Sequence, residues 1–473
     1  MVRNPLFHEF LLLTLLWLGV HRNWRWQRGP ATTHPPVQRT KGSPKPHQPF
    51  AGLTHKPHCA ACEQDQNPVD QPPLVPPARI VSTRGRPRAV DTHHAYCPTK
   101  TCPYYGWVGQ GNIRANGHPG SGVWRQFHCV VCETYFLETY GTLFYGKSRP
   151  AERLVRAVVA LAEGLGIRAV ARVFEVDPNT VQAWLREAAE QLETFSHYLL
   201  RDVHVNHVQF DELCAWISES KTGLGRETAA DEPCPRSPHW VWVAIDPESK
   251  LVLALDLGQC TLAMAQRLVH HVGQLLAPGC IPLFLTDGFK EYATALLTHL
   301  GHWVLPPRRQ AKGPVPKPRW MPRPELLYAQ VVKQYRRRHL VHMRPQVVFG
   351  TLAQVMQVLA PRGWHINTAF IERVNLTLRH HVAAVGRRVM TLCKHEAGLR
   401  LQLHLYHTYY NFCLPHVSLR RPLVRPQPTK GRGSAKRWHP CTPAMAAGLT
   451  DHVWTMREVL LFRVPPWPQP QGR

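Results

Sequence analysis

Acidic residues are scarce in this sequence. Its 473 residues include 31 Asp and Glu against 57 Lys and Arg, a formal net charge of +26. From position 301 to 450 only Glu325, Glu372 and Glu396 are acidic. A charge balance of this size makes a polyanion the first partner to consider, with a merely soluble basic enzyme as the competing reading. The 29 histidines add positive potential under mildly acid conditions. Long apolar runs are also missing. The longest N-terminal one, Phe10–Val20, has eleven residues, too few to span a bilayer. The segment before it is barely positive and no small-residue cleavage site follows, so a short amphipathic or buried helix is expected rather than a signal peptide. The cysteine count, 13, is odd. Together with Cys-x-x-Cys spacing this argues against a secreted disulfide framework and for metal ligands in a reducing cytosol. No internal repeat is present.

What is there falls into segments. Residues 1–95 combine the short apolar helix with Pro-rich basic stretches that have the composition of linkers. They also hold Cys59 and Cys62, which make half a metal site: a second zinc finished by distant ligands, or unliganded thiols. Residues 96–146 carry Cys97, Cys102, Cys129 and Cys132 in two close pairs around a Gly-rich stretch. Four thiolates so spaced can converge into the tetrahedron of a structural zinc, and a segment this small needs metal to supply its folding energy. Two disulfides or free thiols are the alternative.

A helical region follows over 150–198. In it "GIRAVARVFEVDPNTVQAWLREAAEQL" predicts two helices. Ile167, Val170, Ala171 and Phe174 line the inner face of the first. Asp177 caps the second, Pro178 suits its first position, and Val181, Trp184, Leu185 and Ala188 form its apolar stripe. Asn179, Gln182 and Arg186 fall on the outer face, where amide and guanidinium groups suit base edges in a major groove. An ordinary helical hairpin is the competing reading.

Strand and helix patterns then alternate from 204 to about 420, broken by a Pro/Arg-rich insertion at about 306–324, with helices resuming at about Val347. "HVQFDELCAW" predicts a strand containing Asp211. "HWVWVAIDPESKLVLALDLG" predicts a hairpin turning at "DPESK". "IPLFLTDGFKEY" predicts a buried strand ending at Asp287, then a helix, and a carboxylate at such a strand end opens onto the crevice where these sheets place their sites. In "INTAFIERVNLTLRHHVAAVGRR" the residues Ile371, Val374, Leu378, Val382 and Val385 form an apolar stripe. Glu372, Asn375 and Arg379 lie together about 120° away. Alone, Glu372 reads as a solvated residue pairing with Arg373, Asn375 or Arg379. Set beside Asp211 and Asp287, it completes a trio of carboxylates from separate elements. Such a trio can hold two divalent cations, magnesium or manganese, for phosphodiester chemistry. The remainder, 421–473, is a basic Pro-rich tail with an ordered-looking patch, "TPAMAAGLTDHVWTMREVLLF".

The order of Cys-pair ribbon, helix-turn-helix, "FDELCAW", "IDPESKLVLALDLG", "TDGFKEY", "IERVNLTLRHHVAAVGRR" and "YYNF" resembles the DDE transposases of bacterial insertion sequences, of the insertion-sequence-one type, over about Tyr96–Arg420. "TPAMAAGL" resembles a short element near the C-terminus of many such enzymes. The resemblance implies a multidomain α+β and α/β chain: zinc ribbon, helix-turn-helix, then an RNase H-like catalytic domain. It implies catalytic roles for Asp211, Asp287 and Glu372, with Arg379 as the basic residue seven positions on. It also implies cleavage and strand transfer at terminal inverted repeats, a homodimer or higher synaptic complex on double-stranded DNA, no membrane association, and a cytoplasmic, nucleoid-associated prokaryotic location. The long N-terminal extension, the "DEPCPRSP" insertion and the Pro/Arg-rich insertion depart from the short members of that family. Two other readings stay open: a DNA-binding regulator with an inert RNase H-like part, and a structure-specific nuclease.

Overall fold

The apolar runs around Asp211 and Asp287 become the two middle strands of the largest sheet. The computed structural model describes residues 90–147, 150–217, 239–308, 316–337, 339–386, 393–429, 433–466 and 469. All of them belong to the unit Gln71–Arg473. The apolar run Phe10–Val20, Cys59, Cys62 and the "DEPCPRSP" insertion lie outside the described residues.

Three short antiparallel strands come first: β1 (Ile113–Ala115), β2 (Gln126–Cys129) and β3 (Tyr135–Leu137). Three helices follow, α1 (Ala151–Ala162), α2 (Ile167–Val173) and α3 (Pro178–Leu199). The predicted stripes are the packed ones. Val170, Ala171, Val181, Trp184, Leu185 and Ala188 are buried. Asp177 caps α3 through its carboxylate, which accepts from the Asn179 amide at 2.7 Å.

The large sheet has six strands in the order β11-β10-β7-β4-β5-β6. They are β4 (His207–Ala215), β5 (His239–Ile245), β6 (Val252–Gly258), β7 (Leu283–Asp287), β10 (Tyr328–Arg336) and β11 (His339–Phe349). Strand β7 runs parallel to both β4 and β10, and the other pairings are antiparallel. Helices cover both faces, which is why the central strands read as nearly continuous apolar runs. On one face Phe210, Trp242, Ala244 and Phe284 pack with helices α4 (Leu262–Leu275) and α5 (Glu291–Leu300). On the other, Leu213, Val241, Val243 and Ile245 pack with α7 (Ala369–His381) and α8 (Glu396–Thr408). Helix α6 (Leu352–Leu359) closes the β7/β10 end of that face through Val355 and Leu359. This mixed α/β sheet between helical layers is compatible with the RNase H-like expectation.

Two details differ from the sequence reading. Helices do not resume at Val347: β11 runs to Phe349, and a Gly350 turn at φ +82° precedes α6. The apolar stripe from Ile371 to Val385 is not one helix either. It ends at His381 and continues through a 3-10 turn at Ala383–Val385, which still buries Ala384 and Val385. The Pro/Arg-rich insertion contributes β9 (Arg319–Met321), which pairs with β8 (His302–Val304) just before it. A small hairpin, β12 (Arg421–Gln427) with β13 (Lys436–His439), precedes α9 (Pro443–Ala446) and α10 (Met456–Leu461). These last two helices join the same core as α1 and α3 through Ala444, Met456, Val459 and Leu460.

A register shift in the β5–β6 hairpin leaves the Val252 amide in need of a partner. Buried Asn411, in the "YYNF" stretch, supplies it: its Oδ1 accepts from the Val252 amide at 3.0 Å. Its Nδ2 donates to the Val252 carbonyl at 2.8 Å, an oxygen that also meets His407 Nε2 at 2.7 Å. Asn411→Leu therefore strands one buried amide. We expect a loss of about 1–3 kcal/mol in chemical denaturation, from the desolvated N–H alone.

Candidate active site and metal centres

The register of β4 and β7 determines where the acids meet. His207 pairs with Leu283 and Gln209 with Leu285, so the same offset carries Asp211 level with Asp287. On the other side of β7, Asp287 pairs with Val331 of β10. Side chains alternate along a strand, so Asp211, Asp287 and Lys333 share the sheet face covered by α7.

Helix α7 is docked on that face by Gln209, two residues before Asp211 and fully buried. Gln209 Oε1 accepts from the Ile371 amide at 3.0 Å, and its Nε2 donates to the Asn367 carbonyl at 2.9 Å. The Thr368 side chain makes no cap bond, so Gln209 caps the helix from across the sheet. One turn further along, Asn375 Nδ2 donates to Asp211 Oδ2 at 2.7 Å. Glu372 sits between these anchors. It pairs with Lys333 across the gap and accepts from Thr368 Oγ1 at 3.1 Å. Arg379 is half-buried on the last turn of α7, seven residues past Glu372, or about 10 Å along the axis.

Carboxylate oxygens of Asp211, Glu212 and Asp287 lie within 4.8 Å of one another. Glu372 is outside that set. The sequence points to Asp211, Asp287 and Glu372 and gives no separate signal for Glu212, which stands beside Asp211 in "FDEL". Glu212 and the hydroxyl of Tyr292 are buried and interact with each other.

Burial, then the charge of Asp287, pushes the Asp211 carboxyl up to about 7, while Lys333 pulls against them. Asp287 is raised by burial. Glu212 is raised well above its usual range by burial and by Asp287. Burial alone would lower the Lys333 ammonium, but its bond to Glu372 and the two aspartates outweigh that and raise it. An all-oxygen donor set of three converging carboxylates, whose ionisation burial and mutual repulsion oppose, fits a hard divalent cation such as magnesium or manganese.

A second group of ligand type lies in the β1–β3 segment. The four thiol sulfurs of Cys97, Cys102, Cys129 and Cys132 are within 4.8 Å of one another. Cys97 Sγ is 3.5 Å from Cys132 Sγ, and Cys102 Sγ is 3.9 Å from Cys129 Sγ. Zinc–sulfur bonds of about 2.3 Å imply tetrahedron edges of about 3.8 Å, so the spacing fits that ion. Two tight turns present the pairs: the Gly106 amide donates to the Cys97 carbonyl at 3.0 Å, and the Cys129 amide to the Thr134 carbonyl at 3.0 Å. Burial raises Cys97 to about 11. At Cys132 burial is outweighed by hydrogen bonds from Thr134 and from the neighbouring thiols Cys97 and Cys129, and the thiol falls to about 6. Asn112 Nδ2 donates to Cys129 Sγ at 3.5 Å.

Asn179, Gln182 and Arg186 are all exposed, at helical spacing, on the first two turns of α3. No helix among the described residues is long and apolar enough to cross a membrane.

Three solved structures give partial matches to this chain. They are the Mos1 strand transfer complex (17% identity, TM-score 0.14), the Mos1 transposase paired-end complex with left transposon end (18%, 0.13) and the Mos1 mariner paired end complex with Mn (16%, 0.13). Each match covers 33% of this chain and 57%, 58% and 59% of the respective structure, so this chain spans a little over half of their length. No protein-family model matches the sequence, and no curated protein does.

The raised Asp211 gives a pH signature. Its carboxyl holds a proton in the fold up to about pH 7, whereas an unfolded Asp loses it near pH 4. A carboxyl raised on folding favours the fold below its unfolded value, and that contribution fades as pH rises towards the folded value. Without divalent cations, stability should fall between about pH 4 and 7 by order 2–4 kcal/mol for this group. Asp211→Asn should flatten the slope in thermal unfolding scans.

Proposed function

We propose that the chain is a DDE-type DNA transposase of the insertion-sequence-one type. Asp211, Asp287 and Glu372 would be its catalytic carboxylates, carried on an RNase H-like domain. The observation that carries the reading is the shared register of Asp211 and Asp287, beneath a helix whose Glu372 is turned toward the same face. The partial likeness to transposase–DNA complexes agrees with it in kind and adds no weight of its own.

In this reading Asp211, Asp287 and Glu372, with Glu212 beside them, would hold divalent cations. When bound, such ions activate a water or a 3′-hydroxyl and stabilise the leaving oxygen. The remaining roles belong to the chain. Lys333 neutralises Glu372 until the site is loaded. Asn375 and Gln209 hold Asp211 and α7 in place. Arg379 extends positive charge along α7, where a scissile strand would lie. The exposed face of α3, with Asn179, Gln182 and Arg186, would read the terminal inverted repeats. The β1–β3 segment would be a zinc ribbon closed by Cys97, Cys102, Cys129 and Cys132. The basic surface holds duplex DNA against an acidic pocket. Synapsis of two element ends calls for at least a homodimer, at work in a bacterial nucleoid.

The test is strand cleavage and joining on a duplex that carries the element's terminal repeats, with magnesium or manganese. Glu372→Gln should cut at least about a hundredfold more slowly, equivalent to roughly 3 kcal/mol of barrier, while still binding the duplex. A variant that cuts like the parent would falsify the role of Glu372. Cutting without joining would favour a nuclease, and binding without either would favour a regulator.

Zinc is tested separately. The purified chain should carry one zinc equivalent in the Cys97/Cys102/Cys129/Cys132 cluster. Cys129→Ser should release it, as metal analysis would show, and unfold the β1–β3 segment with it.

A further inference from the structure

Strands β10 and β11 do not stop where the sheet stops. Their pairing with β7 ends at Val331, opposite Asp287. The two strands continue as a ribbon joined at Arg337, whose φ is +49°. Residues Leu340 to Gln346 are exposed on β11, and Arg336 and Gln334 on β10. Cross-strand pairs place Val332 with Arg344, Gln334 with His342 and Arg336 with His339 on one face. The opposite face bears Lys333 with Met343, and it is the face from which Lys333 reaches Glu372. From Lys333 to Arg344 the sequence has five Lys or Arg and no acid.

An exposed, acid-free ribbon repels itself, because like charges on paired strands are destabilising. A polyanion relieves that cost. A two-stranded ribbon also has the cross-section that a major groove admits. From Val332 to Arg336 it reaches about 13 Å, roughly four-tenths of a helical turn of duplex. Its root is level with the carboxylates, so a duplex seated on it passes beside them.

We propose that the β10–β11 ribbon is a second, sequence-independent contact for double-stranded DNA, gripping phosphates next to the carboxylate site through Arg336, Arg337, His342 and Arg344. This rests on the reading that the chain acts on DNA, and it places a contact that the α3 face does not supply. The exposed apolar residues Leu340 and Met343 suggest the rival occupant, a second copy of this chain.

The experiment compares the full-length parent with a combined Arg336→Gln, Arg337→Gln, Arg344→Gln variant. Binding to an arbitrary-sequence duplex of about three helical turns is followed by anisotropy between about 50 and 200 mM salt. Three lost phosphate contacts should lower the slope of log affinity against log salt by about 2.7. The loss should be the same with or without terminal repeats, at a thermal midpoint no lower than the parent's. An unchanged slope overturns the proposal. So does an unchanged slope with a shift from dimer to monomer in light scattering for Leu340→Ser, Met343→Ser, which would make the ribbon an interface between copies. The two readings fail separately. A parent that binds through the ribbon but cuts nothing sinks the catalytic assignment alone. A parent that cuts while the triple variant keeps its slope sinks the ribbon alone.

Discussion

One buried amide side chain sets the geometry of the candidate site. Gln209 uses both ends on α7, accepting from the Ile371 amide and donating to the Asn367 carbonyl. A helix start leaves unpaired amides that must find acceptors; here Asn367 Oδ1 takes the Ala369 amide locally, and the central strand takes that of Ile371. The position of α7 is thereby referred to β4, the strand that carries Asp211. Asn375 repeats the connection one turn later, on the Asp211 carboxylate itself. The distance from Glu372 to the aspartates is then a property of two hydrogen-bonded anchors in the core and does not depend on the surface loops around it.

Charge explains why this arrangement sits in so basic a chain. Three carboxyls brought within a few ångströms under a helical layer resist ionisation, through burial and mutual repulsion, as the upward shifts of Asp211, Glu212 and Asp287 record. Lys333 offsets part of that from the neighbouring strand and binds the one acid that remains half-exposed. On the proposed reading Asp211, Asp287, Glu372 and Glu212 would hold a cation, whose charge would stand in for the protons and for the Lys333 ammonium. In that reading the basic surroundings would serve twice: to offset an acidic pocket, and to hold a polyanion over it.

The strongly patterned parts were legible before the structure. Strand β4 with Asp211, the hairpin turning at Asp246–Ser249, strand β7 ending at Asp287, the capped helix α3 and the four-cysteine cluster all carry local signals in the form of period, turn chemistry or ligand spacing. What escaped has no local signal. Glu212 was hidden because alternation sends it to the other sheet face from Asp211, and only the strand edge brings the two carboxyls together. Gln209 was hidden because a lone amide in an apolar strand says nothing of a partner at Ile371. Lys333 lay in a stretch with no assigned pattern. The ribbon that carries it is exposed on both faces, so it lacks the apolar alternation that marks a half-buried strand.

In the C-terminal segment the ordered-looking patch is where the chain folds back. Thr442 and Thr455 cap two short helices that bury Ala444, Met456, Val459 and Leu460 in the core of α1 and α3. Gln191 of α3 donates to the Leu460 carbonyl at 2.6 Å. Arg463 then lies over the Tyr96 ring at 4.1 Å, and the Tyr96 hydroxyl donates to the Val464 carbonyl at 3.1 Å. Further on, the Gln469 side chain accepts from the Val108 amide at 3.2 Å and donates to the Gly106 carbonyl at 2.9 Å. Gly106 belongs to the turn that presents Cys97 and Cys102. One strand of chain therefore ties the thiol cluster to α3, the helix whose exposed face carries Asn179, Gln182 and Arg186. If both surfaces meet one duplex, this tie holds their spacing together with the stretch before α1, where the Leu143 amide donates to Gln191 Oε1 at 2.9 Å and Lys147 pairs with Glu187.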